Sequence, residues 1–98
     1  MSNGHYRYVF TPAVPGEEIE ASLLLALLAA ESLHGEAQVQ LDAAHYFDPE
    51  QRACVIDAGT EVGCDLNRLV VGFLRREFGE DAFTVERVRA GSAAAAPA

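Results

Sequence analysis

The stretch HYFDPEQRACVIDAGTEVGCDLNRLVVGFLRREFG, residues 45–79, contains the patterns that decide the fold. It begins with the end of an alternating segment, turns at Asp48-Pro49-Glu50-Gln51, and returns through residues 52–58 before a helical pattern starts. Proline at the second position of a four-residue turn favours a tight turn. Because strands joined so locally pair antiparallel, we predict a β-hairpin followed by a helix.

The helical part of this stretch has the clearest periodicity in the chain. Thr60 or Asp65 is the expected N-cap, and Gly79 is the expected end. A short strand over residues 83–88 should follow. The apolar residues of the helix are spaced to form one buried side, and they are Val62, Leu66, Leu69, Val70, Phe73, Leu74 and Phe78.

Three further elements are predicted before the hairpin turn. Residues 5–11 alternate as a strand does, with Tyr6, Tyr8 and Phe10 on one side. A helix should run from Glu17 to His34, and Gly35 should end it. Residues 36–48 alternate again and are predicted to form the first strand of the hairpin.

The resulting order is βαββαβ, which is typical of an α+β fold of the ferredoxin-like class. That fold is a two-layer sandwich of a four-stranded antiparallel sheet with two helices on one face. A swapped or differently ordered α+β sheet built from the same elements is the alternative. We predict one domain over residues 1–89 and a flexible, alanine-rich tail over residues 90–98.

Composition restricts the classes of partner. The 98 residues include 15 acidic and 7 basic side chains, for a formal charge of -8, and such a surface repels nucleic acid and anionic membranes. The longest uncharged apolar run, residues 21–30, is too short to span a bilayer. The two cysteines do not have zinc-ligand spacing, so we expect reduced thiols, a cytoplasmic protein and no cofactor.

Polar residues with possible chemistry are few. Cys64, in the first turns of the second predicted helix, should be exposed. His34 is expected to interact with the last carbonyls of its own helix, and His45 to be a core or interface residue. One hypothesis is a small enzyme or ligand-binding protein that uses His45, Tyr46, Asp57 or Cys64, and another is a metal- or thiol-responsive regulator that uses Cys64, Cys54 and the histidines.

The first helix is apolar over more of its surface than one sheet can cover. If the side with Ile19, Leu23, Ala26, Ala30 and Leu33 faces the sheet, a second set of leucines faces outward, namely Leu24, Leu25 and Leu28. A group of three exposed leucines indicates a partner surface. The alternative is a rotated helix in which some of them fill the core.

The preferred hypothesis is therefore a noncatalytic interaction or assembly module. It would form a homo-oligomer or dock a protein partner through the first helix or through the uncovered sheet face. Glu20 and Glu31 represent the acidic side of the first helix, and Arg68, Arg75 and Arg76 the basic side of the second. Opposite charges of this kind would permit head-to-tail packing.

Overall fold

The computed structural model describes residues 4–88 as an α+β fold with a four-stranded antiparallel open sheet and three helices. The elements in chain order are β1 (His5–Phe10), α1 (Gly16–His34), α2 (Glu36–Asp42), β2 (His45–Asp48), β3 (Ala53–Asp57), α3 (Glu61–Phe78) and β4 (Phe83–Val88), with a 3₁₀ turn (Glu80–Ala82) before β4. The predicted tail lies outside the described residues.

The sheet order is β2-β3-β1-β4, so β1 and β3 are central and β2 and β4 are the two edges. Side chains directly opposite each other in a sheet lie on the same face. Tyr8 is opposite Cys54 on β3, and Phe10 is opposite Phe83 on β4, so these residues share one face. The same face carries Ile56, which is opposite Tyr6.

Both long helices pack on this face. The sequence analysis did not determine which side of β1 the helices cover. Tyr8, Cys54 and Ile56 form a single core with the inner side of α1 and the inner side of α3. The residues that α1 contributes are Ile19, Leu23, Ala26 and Ala30, and those of α3 are Val62, Leu66, Val70 and Leu74. The Tyr8 hydroxyl donates to Asn67 Oδ1 at 2.6 Å, which satisfies its polar group inside the core.

The ends of the long helices are as predicted. Gly35 and Gly79 both have φ of 91°, a left-handed conformation that ends α1 and α3. Of the two candidate N-caps of α3, Thr60 is correct, because its hydroxyl accepts from the Gly63 amide at 2.9 Å. The hairpin of β2 and β3 is antiparallel, with turn residue Asp48 accepting from the Glu50 amide at 3.0 Å.

One predicted element is wrong over half its length. Residues 36–48 do not form one strand, because Glu36–Asp42 is the helix α2 and only His45–Asp48 is a strand. The segment EAQVQLD consists mainly of good helix formers, and their propensity prevails over a short alternation. Val39 is buried and Leu41 is 78% exposed, whereas a strand would have placed both on one side.

No helix within residues 4–88 combines the length and the apolar character that a bilayer crossing requires.

Candidate interaction surface

The outer side of α1 exposes three leucines, as predicted. Leu24 is 57% exposed, Leu25 58% and Leu28 49%, and we call these three residues the leucine surface. They are exposed because the residues of the inner side of α1, and not they, complete the core. The interpretation of these leucines as core is therefore wrong for the single chain. That a partner covers them stays a prediction.

Leu33 was expected on the inner side of α1, and that expectation is wrong. Its side chain is 64% exposed near the carboxyl end of the helix. Ala30, one turn earlier, is the last fully buried residue of α1. The buried inner side of α1 thus ends at Ala30, about one turn before the helix itself ends at His34.

A groove runs between α1 and the edge strand β2, with a volume of about 420 Å³. We call it the α1–β2 groove, and its lining is mostly apolar, formed by Glu20, Leu23, Leu24, Leu27, His45, Tyr46 and Phe47. Leu24 belongs both to this groove and to the leucine surface. The two features therefore form one continuous apolar region.

The outer edge of β2 borders this region. The Asp57 amide donates to the Ala44 carbonyl at 3.0 Å, so these opposite residues form a hydrogen-bonded pair of the antiparallel ladder. Hydrogen-bonded pairs alternate along such a ladder, so Tyr46 also directs its backbone groups toward β3. His45 and Phe47 consequently direct their backbone N–H and C=O groups away from the sheet, toward the open edge.

The predicted charged residues keep their places on the surface. Glu20 is exposed beside the groove, and Glu31 is half-buried on the same helix. On α3, the three arginines Arg68, Arg75 and Arg76 are exposed. Two of them already have acidic neighbours: Arg68 Nη1 lies 3.6 Å from Asp65 Oδ1, and Arg75 pairs with Glu80. Such internal pairs leave less basic charge for the acidic side of another molecule.

The uncovered face of the sheet carries polar contacts between side chains of neighbouring strands. Arg7 Nη1 lies 3.2 Å from Glu86 Oε2, and His5 Nε2 lies 3.9 Å from Asp57 Oδ2. The aromatic residues of β1 face the helices instead. This face is thus more polar than an apolar docking surface requires.

Three of the four polar residues considered for catalysis or ligand binding line one shallow groove. His45, Tyr46 and Asp57 meet there with His5, in a volume of about 210 Å³. Ligand pockets in proteins are typically about 300–1,000 Å³, so this groove is small. Cys64 lines a different groove, at the start of α3. The enzyme or ligand-binding interpretation stays a prediction.

The histidines are placed differently from the predictions. His34 Nε2 lies 2.9 Å from Asp65 Oδ2, so it contacts α3 and not the last carbonyls of its own helix. Packing of α1 against α3 brings the end of one helix to the start of the other, which the sequence alone does not show. His45 is exposed at the edge of the sheet, so the prediction of a core position is wrong, while an interface position stays a prediction.

The two cysteines, Cys54 and Cys64, are free thiols that are not joined in a disulfide. Burial raises the pKa of the Cys54 thiol to about 12, so it stays protonated and is a poor nucleophile at neutral pH. Cys64 is half-buried, whereas the helical wheel predicted exposure. Within the described part of the chain, no three His, Cys, Asp or Glu side chains are grouped to hold a metal ion. The regulator hypothesis therefore gains no support from geometry.

Comparison with family models, with curated proteins and with solved structures gave no match for this chain.

Sequence reasoning located the leucine surface but missed the α1–β2 groove and the free edge that borders it. The sequence signal that could have indicated the groove is the helix-forming composition of EAQVQLD. This segment is the helix α2, and only four residues are left for the strand β2. With the shorter strand, His45 and Tyr46 become edge residues beside α1. The feature that results is an exposed, mostly apolar region at one edge of the α+β fold.

Proposed function

We propose that this chain is a noncatalytic assembly module that self-associates through the leucine surface of α1. The observation that carries the proposal is that Leu24, Leu25 and Leu28 are each about half exposed or more on one side of one helix. Burying a leucine completely contributes about 1.5–3 kcal/mol, and the single chain leaves about half of this burial unmade at each of the three residues. Contiguous exposed apolar side chains of this kind mark association sites.

A second copy is the occupant that we favour. The sheet face is a weaker candidate, because its polar side chains already contact each other between β1 and the neighbouring strands. A head-to-tail arrangement is also weaker, because two of the three arginines of α3 have acidic neighbours in their own chain. The α1–β2 groove continues the leucine surface and provides room for the side chains of the second copy.

The direct test is the solution mass over a concentration series, measured by sedimentation equilibrium. We expect the wild type to form an oligomer and the double variant Leu24→Glu, Leu28→Glu to be a folded monomer with an unchanged circular dichroism spectrum. Leu41→Glu is the matched control, because Leu41 is also an exposed helical leucine but lies outside the surface. A strictly monomeric wild type at high micromolar concentration would refute the proposal.

The salt dependence of association distinguishes contact between two leucine surfaces from head-to-tail packing of α1 on α3. Each copy has a formal charge of -8, and α1 contains acidic residues but no Lys or Arg. Association through α1 brings like charges together, so added salt should strengthen it by screening. Head-to-tail packing of acidic α1 on basic α3 should instead weaken with salt.

A small apolar ligand in the α1–β2 groove is the second candidate function, favoured by the volume and the mostly apolar lining of that groove. It requires a monomer that binds a neutral apolar probe such as Nile red saturably. Loss of that binding in Leu24→Glu, with no oligomer in the wild type, would favour the ligand over assembly.

We also infer that the fold is ferredoxin-like. The support is that the connection from β1 to β2 passes over β3 and the connection from β3 to β4 passes over β1, as in two interleaved βαβ units. The additional helix α2 is then an insertion in the first connection. An experimental structure with β1 or β3 at an edge of the sheet would exclude this class.

A further inference from the structure

We propose that two copies of this chain join their β2 strands antiparallel, about a two-fold axis at Tyr46, to form one continuous eight-stranded sheet. This inference rests on the proposed self-association and specifies how the two copies meet. It assigns a role to the open edge of β2, to Tyr46 and to the α1–β2 groove.

The two edges of the sheet differ in their protection. Exposed strand edges in natural proteins carry charged side chains that prevent edge-to-edge pairing. The β4 edge follows this rule, since Glu86 and Arg87 are both exposed on it. The only Asp, Glu, Lys or Arg of β2 is Asp48 at its end, and in an antiparallel pair centred on Tyr46 this residue lies opposite Ala44, not opposite a second carboxylate. The β2 edge is thus the one that permits close approach of a second strand.

The backbone of β2 fixes the register of this pairing. His45 and Phe47 direct their N–H and C=O groups outward, so each can exchange two hydrogen bonds with a residue of the second copy. In an antiparallel pair centred on Tyr46, His45 is opposite Phe47 of the second copy, and the reverse contact follows by symmetry. Tyr46 is then opposite Tyr46 of the second copy in a non-hydrogen-bonded pair.

The side chains fit this register. Tyr46 is 64% exposed, and its side chain lies on the uncovered sheet face because it is opposite Val55 on β3. Two such residues facing each other across the axis form an aromatic cross-strand pair. No like charges are opposed along residues 45–47. On the β4 edge, by contrast, a register centred on Glu86 would oppose two carboxylates.

Four residues of strand give only a few hydrogen bonds, so apolar burial has to supply most of the stability. The pairing places the two α1 helices antiparallel on the same side of the joined sheet. Each α1–β2 groove then faces the other across the axis, and Leu24 and Leu27 line it. Leu25 follows Leu24 by about 100° around the helix, away from the groove. Leu24 is therefore buried in the pair, and Leu25 stays exposed.

A disulfide across the axis tests the register. Opposite residues of a non-hydrogen-bonded pair have Cα atoms about 4.5 Å apart, which is within the range of a disulfide. We expect Tyr46→Cys, in a Cys64→Ser background, to form a covalent dimer with oxidised glutathione. Asp48→Cys is the control, since in this register the two copies of residue 48 are about 13 Å apart along the strands. Efficient crosslinking of Asp48→Cys, and none of Tyr46→Cys, would overturn the proposed register.

Hydrogen exchange tests the same pairing in the wild-type protein. The amides of His45 and Phe47 should exchange more slowly as the concentration is raised through the association range. The amide of Tyr46 is the internal control, because it is directed toward β3 in both the monomer and the pair. If association leaves the exchange of the Phe47 amide unchanged, the strands do not pair.

Single leucine variants separate this inference from the proposed function. We expect Leu24→Glu to weaken association about tenfold or more and Leu25→Glu to have an effect within about threefold. If both variants weaken it equally and Tyr46→Cys does not crosslink, the copies stack helix layer on helix layer, and only the strand pairing is refuted. If the wild type is monomeric, both proposals fail.

Discussion

Gly63 and Gly72 lie on the same helix, α3, and alanine at the two positions should have opposite effects on stability. Gly63 is buried in the first turns of α3, where the helix passes close to the end of β3. A Cβ atom there would lie 2.1 Å from the carbonyl oxygen of Asp57. A Cβ atom at Gly72 would meet nothing within 4 Å.

The distances set the expected magnitudes. Real Cβ contacts are essentially never below 3.0 Å, so Gly63→Ala forces the start of α3 away from the backbone of β3 by roughly 1 Å. Overpacking of this kind costs about 1–3 kcal/mol, and a backbone obstacle belongs at the upper end. The better helix propensity of alanine offsets up to about 1 kcal/mol, which leaves a net loss of about 2 kcal/mol. Gly72→Ala retains only the propensity gain of about 0.5–1 kcal/mol.

Urea denaturation followed by circular dichroism at 222 nm measures both effects in one experiment. A domain of this size has an m-value of about 1–3 kcal/mol/M in urea, so the unfolding midpoints of the two variants should differ by about 1 M or more. Gly63→Ala should unfold earlier than the wild type, and Gly72→Ala later. If Gly63→Ala is as stable as Gly72→Ala, the close approach of α3 to β3 is absent in solution.

Three further predictions concern the core and the cap of α3. Thr60→Ala should lower the free energy of unfolding by about 0.5–2 kcal/mol, because the Gly63 amide loses its acceptor, and Thr60→Ser should restore most of it in the same urea titration. Tyr8→Phe should cost about 1–2 kcal/mol by denaturation at pH 7, since it removes the hydrogen bond to Asn67 Oδ1; no change would mean that the Asn67 side chain finds another partner. Burial raises the pKa of the Cys54 thiol above its value of about 9 in the unfolded chain. As the pH rises, the unfolded state therefore loses this proton first, and the free energy of unfolding should fall between about pH 9 and pH 12. Cys54→Ala should reduce this dependence of stability on pH.

Local signals predicted most of the fold. The ends at Gly35 and Gly79 and the apolar period of α3 depend on residues close together in sequence, and each is confirmed. Of the two N-caps that the sequence allowed for α3, the structure has Thr60. The helix α2 was missed because a segment of seven residues fits both a strand and a helix period. For a segment of seven residues, the helix and strand propensities of the amino acids distinguish a helix from a strand only weakly.

The candidate site depended more on contacts between distant segments. The helical wheel predicted the exposure of the leucine surface only on the condition that the side with Ile19 faces the sheet, and the structure has that orientation. The groove required knowing that α1 lies over the β2 edge, and the pairing of His34 with Asp65 required the packing of α1 on α3. Neither the groove nor the His34–Asp65 contact follows from composition or spacing, since each brings together residues that are tens of positions apart in the sequence.

The distribution of residue sizes on α1 supports a role for its outer side. The inner side includes the small residues Ser22, Ala26 and Ala30, all buried, while large leucines are placed outside. Small inner residues allow α1 to approach the sheet and α3 closely, so the core has no need of the outer leucines. A chain selected only to fold alone would gain solubility from polar residues at those positions. The core is complete without the outer leucines, so Leu24 is free to contact a second copy as proposed, and the edge of β2 beside it gives that contact its direction.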